Sequence, residues 1–275
     1  MIDDVKNLPP VSVMLHESGM CAKKKFGQNF LFDLNLTCRI ARSVPDIDSV
    51  PVIEVGPGPG GLTRALLMSG ACRVVAIEKD TDANKILSQI IDASNNRLTV
   101  IYDDALRVDF SKFGINEYSI CSNLPYNVGT ELLINWLHKI ANGEKIKSLT
   151  LMFQREVADR IVATENSPSY GRLSVLASLL TDARILFNVP NTAFSPMPKV
   201  QSAVVQLIPN QEKINRISDI SNIEKITSKL FGTRRKMIRG IIPNVDWNEF
   251  GLTGTERAEN LSPDKFIELA KKLLI

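Results

Sequence analysis

Pro51-Val52-Ile53-Glu54-Val55-Gly56-Pro57-Gly58-Pro59-Gly60-Gly61 is the stretch that decides the fold. A short β-branched run ending in glycines reads as a buried strand that closes in a tight turn. Helical spacing follows at once, over residues 63–69. Working outward, the same alternation repeats. Strands are expected at 73–77, 98–102, 118–122 and 148–153, with helices at 83–93 and 131–141 between them. Strands separated by helical segments mean βαβ units, and hence a parallel sheet covered on both faces. The alternation continues at 156–164 and 173–180. Residues 200–207 alternate apolar and polar side chains, as an edge hairpin strand would. Upstream, helical spacing runs over 30–41, and residues 1–22 read as an arm with a helical turn near 13–16.

Past Pro209 the pattern changes. Ile223, Ile226, Leu230, Met237, Ile238 and Ile241 fall near helical spacing, and Ser262-Pro263 supplies an N-cap and first turn for a helix running to 274. The expected division is an arm at 1–22, a sheet domain at 23–207 and a small helical domain at 208–275.

The glycine turn sets two cofactors in competition. Gly56, Gly58 and Gly61 match the G-x-G-x-x-G spacing of dinucleotide sites. Glu78 ends the next strand, where an acidic side chain can take ribose hydroxyls. Two details favour an adenosyl cofactor. A dinucleotide turn aims backbone N–H groups at a pyrophosphate, and Pro57 and Pro59 have none to give. S-adenosylmethionine carries no phosphate and loses nothing there. Glu54 also makes the run E-x-G-x-G-x-G, which suits a sulfonium cofactor with an amino-acid tail. Asp103-Asp104-Ala105 follows the third strand; an acidic side chain there could accept from the adenine amino group of the cofactor, or cap a helix. The fold class expected is α/β, a Rossmann-like class I methyltransferase sheet with a small C-terminal helical domain.

Ser122-Asn123-Leu124-Pro125-Tyr126 closes the fourth strand, at the sheet edge where ligands bind in doubly wound folds. An adenine amino group is a poor nucleophile, because its lone pair is delocalised into the ring. Two acceptors, the Asn123 side-chain oxygen and the Leu124 carbonyl, would favour a pyramidal nitrogen aimed at the methyl donor. Pro125 stiffens the turn and Tyr126 offers a ring to stack on. A base taken out of its stack is best held on both faces, and Phe194 is the candidate for the second.

Composition is ordinary: 275 residues, 44% hydrophobic, mean hydropathy near zero. No apolar run reaches the roughly 18 residues of a membrane span, and the N-terminus lacks the apolar segment of a secretory signal. Cys21, Cys38, Cys72 and Cys121 are scattered, with no C-x-x-C pair, and His16 and His138 are the only histidines. This argues against a metal site or disulfide frame and for a reducing cytoplasm. The net charge of +3 lies in the last part of the chain, where residues 207–275 hold 12 Lys+Arg against 9 Asp+Glu. Two basic clusters, Lys23-Lys24-Lys25 and Arg234-Arg235-Lys236 with Arg239, are candidates for phosphate contacts to nucleic acid.

On these residues the chain resembles the ribosomal RNA adenine N6-dimethyltransferases, and within them the bacterial small-subunit (kasugamycin-resistance) branch. The resemblance rests on Lys25-Phe26-Gly27-Gln28-Asn29-Phe30-Leu31, Glu54 to Gly61, Asn123 to Tyr126 and Gln154-Arg155-Glu156-Val157. It extends through Tyr170-Gly171-Arg172-Leu173-Ser174-Val175 and Phe194 to Val205. It implies cofactor contacts at Asn29, Leu31, Gly56, Glu78, Asp104 and Asn123, and S-adenosylmethionine as the methyl donor. It further implies that two adjacent adenosines in a terminal hairpin loop of small-subunit rRNA become dimethyladenosines, on a pre-30S particle, with a role in small-subunit biogenesis. The protein is expected to be monomeric. The match is loosest beyond 208, so the choice of RNA is its weaker half. The alternatives are a large-subunit adenine N6-methyltransferase of the erythromycin-resistance type and a non-catalytic assembly factor on the same fold. A DNA adenine methyltransferase fits less well, since its loop usually begins with Asp and carries two prolines.

Overall fold

The computed structural model describes residues 4–23, 27–110 and 114–273. Nine strands are assigned among them: β1 (Phe30–Leu31), β2 (Val52–Val55), β3 (Val74–Glu78), β4 (Leu98–Tyr102), β5 (Glu117–Asn123), β6 (Lys145–Gln154), β7 (Thr181–Val189), β8 (Phe194–Ser195) and β9 (Ser202–Pro209). The α-helices are α1 (Val11–Ser18), α2 (Leu34–Ala41), α3 (Gly61–Met68), α4 (Asn84–Ala93), α5 (Gly129–Ala141), α6 (Arg155–Ile161), α7 (Arg172–Leu180), α8 (Gln211–Ile214), α9 (Ile220–Phe231) and α10 (Pro263–Lys272). Seven strands form one sheet in the order β4-β3-β2-β5-β6-β9-β7, and β1 pairs with β8 in a second.

The pairs β2–β3, β2–β5, β3–β4 and β5–β6 are all parallel. Every residue of β2 and β3 is buried, as expected of strands covered on both faces. The order reverses beside β2, because β3 and β4 lie on one side and β5 and β6 on the other. That switch point opens a crevice at the carboxyl ends of the strands, where a ligand can enter.

One expectation is corrected. Residues 200–207 do not make an edge strand. β9 lies between β6 and β7, its first six residues are buried, and β7 is the edge. The alternation of residue types there follows chemistry rather than exposure: Ser202 and Gln206 are buried too, held by Tyr126 and by the Ser43 carbonyl.

The chain divides into two compact units. One comprises Met1–Asn135, Glu144–Ala158 and Ile185–Gln206; the other comprises Trp136–Gly143, Asp159–Arg184 and Leu207–Ile275. The helical unit therefore draws in 136–143 and 159–184, which a linear cut at 207/208 leaves with the sheet. Its core explains why: Tyr170, Val175 and Leu179 pack in one cluster with Ile223, Ile226, Leu230 and Phe266, and Tyr170 donates to the Leu261 carbonyl at 3.0 Å.

In the first unit the arm is part of the core. Val5, Met14 and Met20 are buried in it, and the guanidinium of Arg64 on α3 donates to the carbonyls of Val5, Leu8 and Pro9. Arg64 is itself 4% exposed, so these carbonyls satisfy a charge that would otherwise be buried without partners.

Candidate active site

A cavity of about 270 Å3 opens in the first unit. Its walls are the residues that leave β2, β3, β4 and β5 at their carboxyl ends, closed by the segment 27–31. Asn29, Leu31, Gly56, Glu78, Asp104, Asn123, Leu124, Pro125 and Tyr126 all line it, although they come from five separate parts of the chain.

The glycine turn is shaped by its contacts. Gly58 has φ of +53°, a conformation side chains resist, and a Cβ there would lie 3.0 Å from the Phe30 ring. A Cβ on Gly61 would meet the Leu31 carbonyl at 2.5 Å. Segment 27–31 thus lies against the turn, at distances only glycine allows.

The N–H groups of the turn decide what it can hold. That of Gly56 donates to the Ile77 carbonyl at 2.9 Å, and that of Gly60 to the Pro57 carbonyl at 2.9 Å. That of Gly58 donates to Glu78 Oε2 at 2.9 Å. Pro57 and Pro59 have none. No N–H from 56 to 60 remains for a phosphate, so the turn itself offers a pyrophosphate none of its donors.

Glu78 is 4% exposed and also accepts from the Asp80 N–H at 2.7 Å. Burial raises its pKa, against the lowering by the N–H groups of Asp80, Gly58 and Lys79. Glu54, below the turn, accepts from Thr63 Oγ1 at 2.6 Å. Burial pushes its pKa up to about 8, against the lowering by the Thr63 hydroxyl. Asp104 is held down by the Lys79 ammonium, 2.8 Å from Oδ2, and by the Leu106 N–H.

The loop at 122–126 is fixed from both sides. Ser122 Oγ accepts from the Val55 N–H at 2.7 Å, tying β5 to β2. Asn123 Nδ2 donates to the Asn29 carbonyl at 3.0 Å. That bond sets the amide orientation and leaves Oδ1 as an available acceptor. The Tyr126 hydroxyl is hydrogen-bonded to Ser202 Oγ at 2.8 Å, which fixes the ring.

The family model for ribosomal RNA adenine dimethylase matches residues 19–274. The chain belongs to that family. A ribosomal RNA small subunit methyltransferase A from Chelativorans sp. (strain BNC1) is 47% identical over 272 residues, covering 97% of this chain and 98% of the relative. Its counterpart from Rhizobium johnstonii is 48% identical over 271 residues, with coverage of 97% and 98%. Among solved structures, a dimethyladenosine transferase from Plasmodium falciparum superposes with a TM-score of 0.73 at 23% identity, covering 88% of this chain and 98% of that one. The 23S rRNA methyltransferase ErmE gives 0.67 at 23%, with the same coverage. These two show the fold.

Within this adenine dimethylase, three predicted site residues are placed otherwise than the sequence suggests. Phe194 does not line the cavity. It is 5% exposed in the core, paired with Leu31 across the β1–β8 ladder. The Lys23 ammonium is held by Asp80 at 2.7 Å and Asp82 at 2.5 Å. Arg234 is held by Glu259 at 2.8 Å and by the Pro168 carbonyl at 2.6 Å. Arg235, Lys236 and Arg239 are exposed and form no side-chain ion pair among the described residues. Lys24 and Lys25 lie outside the described residues. No cluster of three or more His, Cys, Asp or Glu among the described residues could hold a metal ion, and none of the helices there is long and apolar enough to cross a membrane.

Sequence reasoning missed the residues that hold others in place: Thr63, Asp80 and Ser202, with the Asn29 carbonyl. Only Asp80, two residues beyond Glu78, stood where a motif could have flagged it.

Proposed function

We propose that this chain transfers methyl groups from S-adenosylmethionine to the N6 amines of two adjacent adenosines in a hairpin loop of small-subunit rRNA. The single observation that carries the chemistry is the Asn123–Asn29 hydrogen bond, which presents Asn123 Oδ1 beside a cavity whose glycine turn offers a phosphate no free N–H. When bound there, S-adenosylmethionine supplies an electrophilic methyl group. Glu78 would take its ribose hydroxyls, Asp104 its adenine amine, and Glu54 would face its amino-acid end. Asn29 and Leu31 close over it.

In the first transfer Asn123 Oδ1 and the Leu124 carbonyl accept the two N6 protons; in the second a single N–H remains for them, and each time one proton leaves N6 after the methyl group arrives. This holds the amine pyramidal with its lone pair directed at the donor, and orientation and electrostatics lower the barrier without a strong base. Tyr126 stacks on one face of the base. Arg235, Lys236 and Arg239 supply contacts to RNA phosphates, which position the substrate without reading its sequence. The small-subunit choice rests on the relatives' near full-length identity. The enzyme acts as a cytoplasmic monomer on a pre-30S particle; four free cysteines suit that reducing compartment.

The test is incubation with labelled S-adenosylmethionine and unmethylated small subunits, large subunits or naked rRNA, followed by mapping of the modified base. Two adjacent dimethyladenosines in small-subunit RNA are expected. Label confined to large-subunit RNA would reverse the branch.

A further inference from the structure

Asp80 gathers the groups that hold segment 27–31 in place, yet it does not itself line the cavity. It is 3% exposed. Its N–H donates to Glu78 Oε1 at 2.7 Å. Its carboxylate accepts from Lys23 Nζ at 2.7 Å, from Gln28 Nε2 at 3.2 Å and from the Asp82 N–H at 3.2 Å. Gln28 Oε1 in turn accepts from the Lys23 N–H at 2.8 Å. Lys23 and Gln28 are thus joined to each other and to one buried carboxylate, which is joined to Glu78.

Beyond this point Asn29, Phe30 and Leu31 enter the cavity wall. There the segment is fastened again, through the Asn29 carbonyl to Asn123 and through β1 to β8. It therefore runs as a strap from the Glu78 side of the cavity to the reaction loop. We propose that Lys23, Gln28 and Asp80 form a latch that fastens this strap over the bound cofactor, so that Lys23 is a positioning residue for cofactor binding rather than a phosphate contact. The inference rests on the cavity being the S-adenosylmethionine site.

The physical reason is the burial of Asp80. A carboxylate at 3% exposure is costly without a charged partner, and Lys23 is the cation it uses. Removing that cation leaves Asp80 to draw in water, loosening Gln28 and the Asp80–Glu78 turn together. The two carboxylates also occupy the ammonium that an RNA phosphate would otherwise approach, so Lys23 brings little net charge to the surface.

The experiment measures S-adenosylmethionine affinity by calorimetry for the full-length wild type, Lys23→Met, Lys23→Arg and Gln28→Ala. RNA affinity and its salt dependence are measured in parallel. Lys23→Met is expected to weaken cofactor binding roughly tenfold and to lower the melting temperature, with RNA affinity and salt slope unchanged. Lys23→Arg should restore most of the loss, and Gln28→Ala should fall between. Amide exchange across 27–31 in the cofactor-free protein should quicken in Lys23→Met. Unchanged cofactor affinity in Lys23→Met, with a shallower RNA salt slope, would overturn the latch and make Lys23 a phosphate contact. Wild-type protein that binds no S-adenosylmethionine would instead bring down the cofactor reading, and the latch with it.

Discussion

In the cavity of the first unit nearly every polar group beside the glycine turn already has a partner, whereas three of the four cations in the run at 234–239 have none among the described residues. The contrast matches the two tasks. A methyl transfer needs one atom held within a fraction of an ångström, so the groups around it are committed to each other before substrate arrives. Phosphate contact needs available charge and tolerates loose geometry. If Arg235, Lys236 and Arg239 are the RNA contacts, partnered groups mark positioning and unpartnered cations mark the phosphate surface.

Asn123→Ala breaks the contrast at its sharpest point. It removes the acceptor that Asn29 orients, and kcat should fall by roughly 10²- to 10³-fold or more. RNA affinity should stay as in wild type, measured by filter binding beside single-turnover methylation. Retained turnover would remove Asn123 from the chemistry.

Much of the cavity was legible because local sequence sets it. Strand, glycine turn and the acidic residue ending the next strand are one βαβ unit, and Pro57 and Pro59 say in one dimension what their missing N–H groups mean in three. Other features depend on pairings far apart in the chain. Tyr126 and Ser202 are 76 residues apart, Asn29 and Asn123 are 94 apart, and no periodicity announces such contacts. Phe194 is likewise placed by a distant pairing, to Leu31 across the β1–β8 ladder, that no periodicity announces. Charge runs do not announce their partners either. Lys23 and Arg234 look like their neighbours in sequence, but each is held by acidic residues that sequence does not place beside it.

The next largest effect falls on the other region. Changing Arg235, Lys236 and Arg239 together to Gln should weaken RNA binding more than roughly tenfold and make the salt slope shallower by about 2 to 3. Cofactor affinity and the melting temperature should not move, since all three are exposed. An unchanged slope would mean that the RNA lies elsewhere.

A smaller effect tests how the reaction loop is held. Ser202→Ala and Tyr126→Phe each remove the same hydrogen bond. Each should cost about 1 kcal/mol of transition-state stabilisation, several-fold in kcat. The double variant should be no worse than either single one, because the two act through one contact. Losses that add would mean that the Tyr126 hydroxyl meets the substrate itself.

Arg234 gives the smallest effect and the finest discrimination. It belongs to the same run as Arg235, but its guanidinium donates to Glu259 and the Pro168 carbonyl. If partnering separates positioning from phosphate contact, Arg234→Gln should alter RNA affinity by less than about twofold and leave the salt slope nearly intact. Its cost should appear in stability instead, at about 0.5–1 kcal/mol, since the pair is partly exposed and screened by water and salt. Arg235→Gln should show the reverse: little change in melting temperature and a slope shallower by about one. Comparing the two single variants in one salt titration decides the matter, because they remove the same charge from adjacent positions and differ only in what the guanidinium already holds.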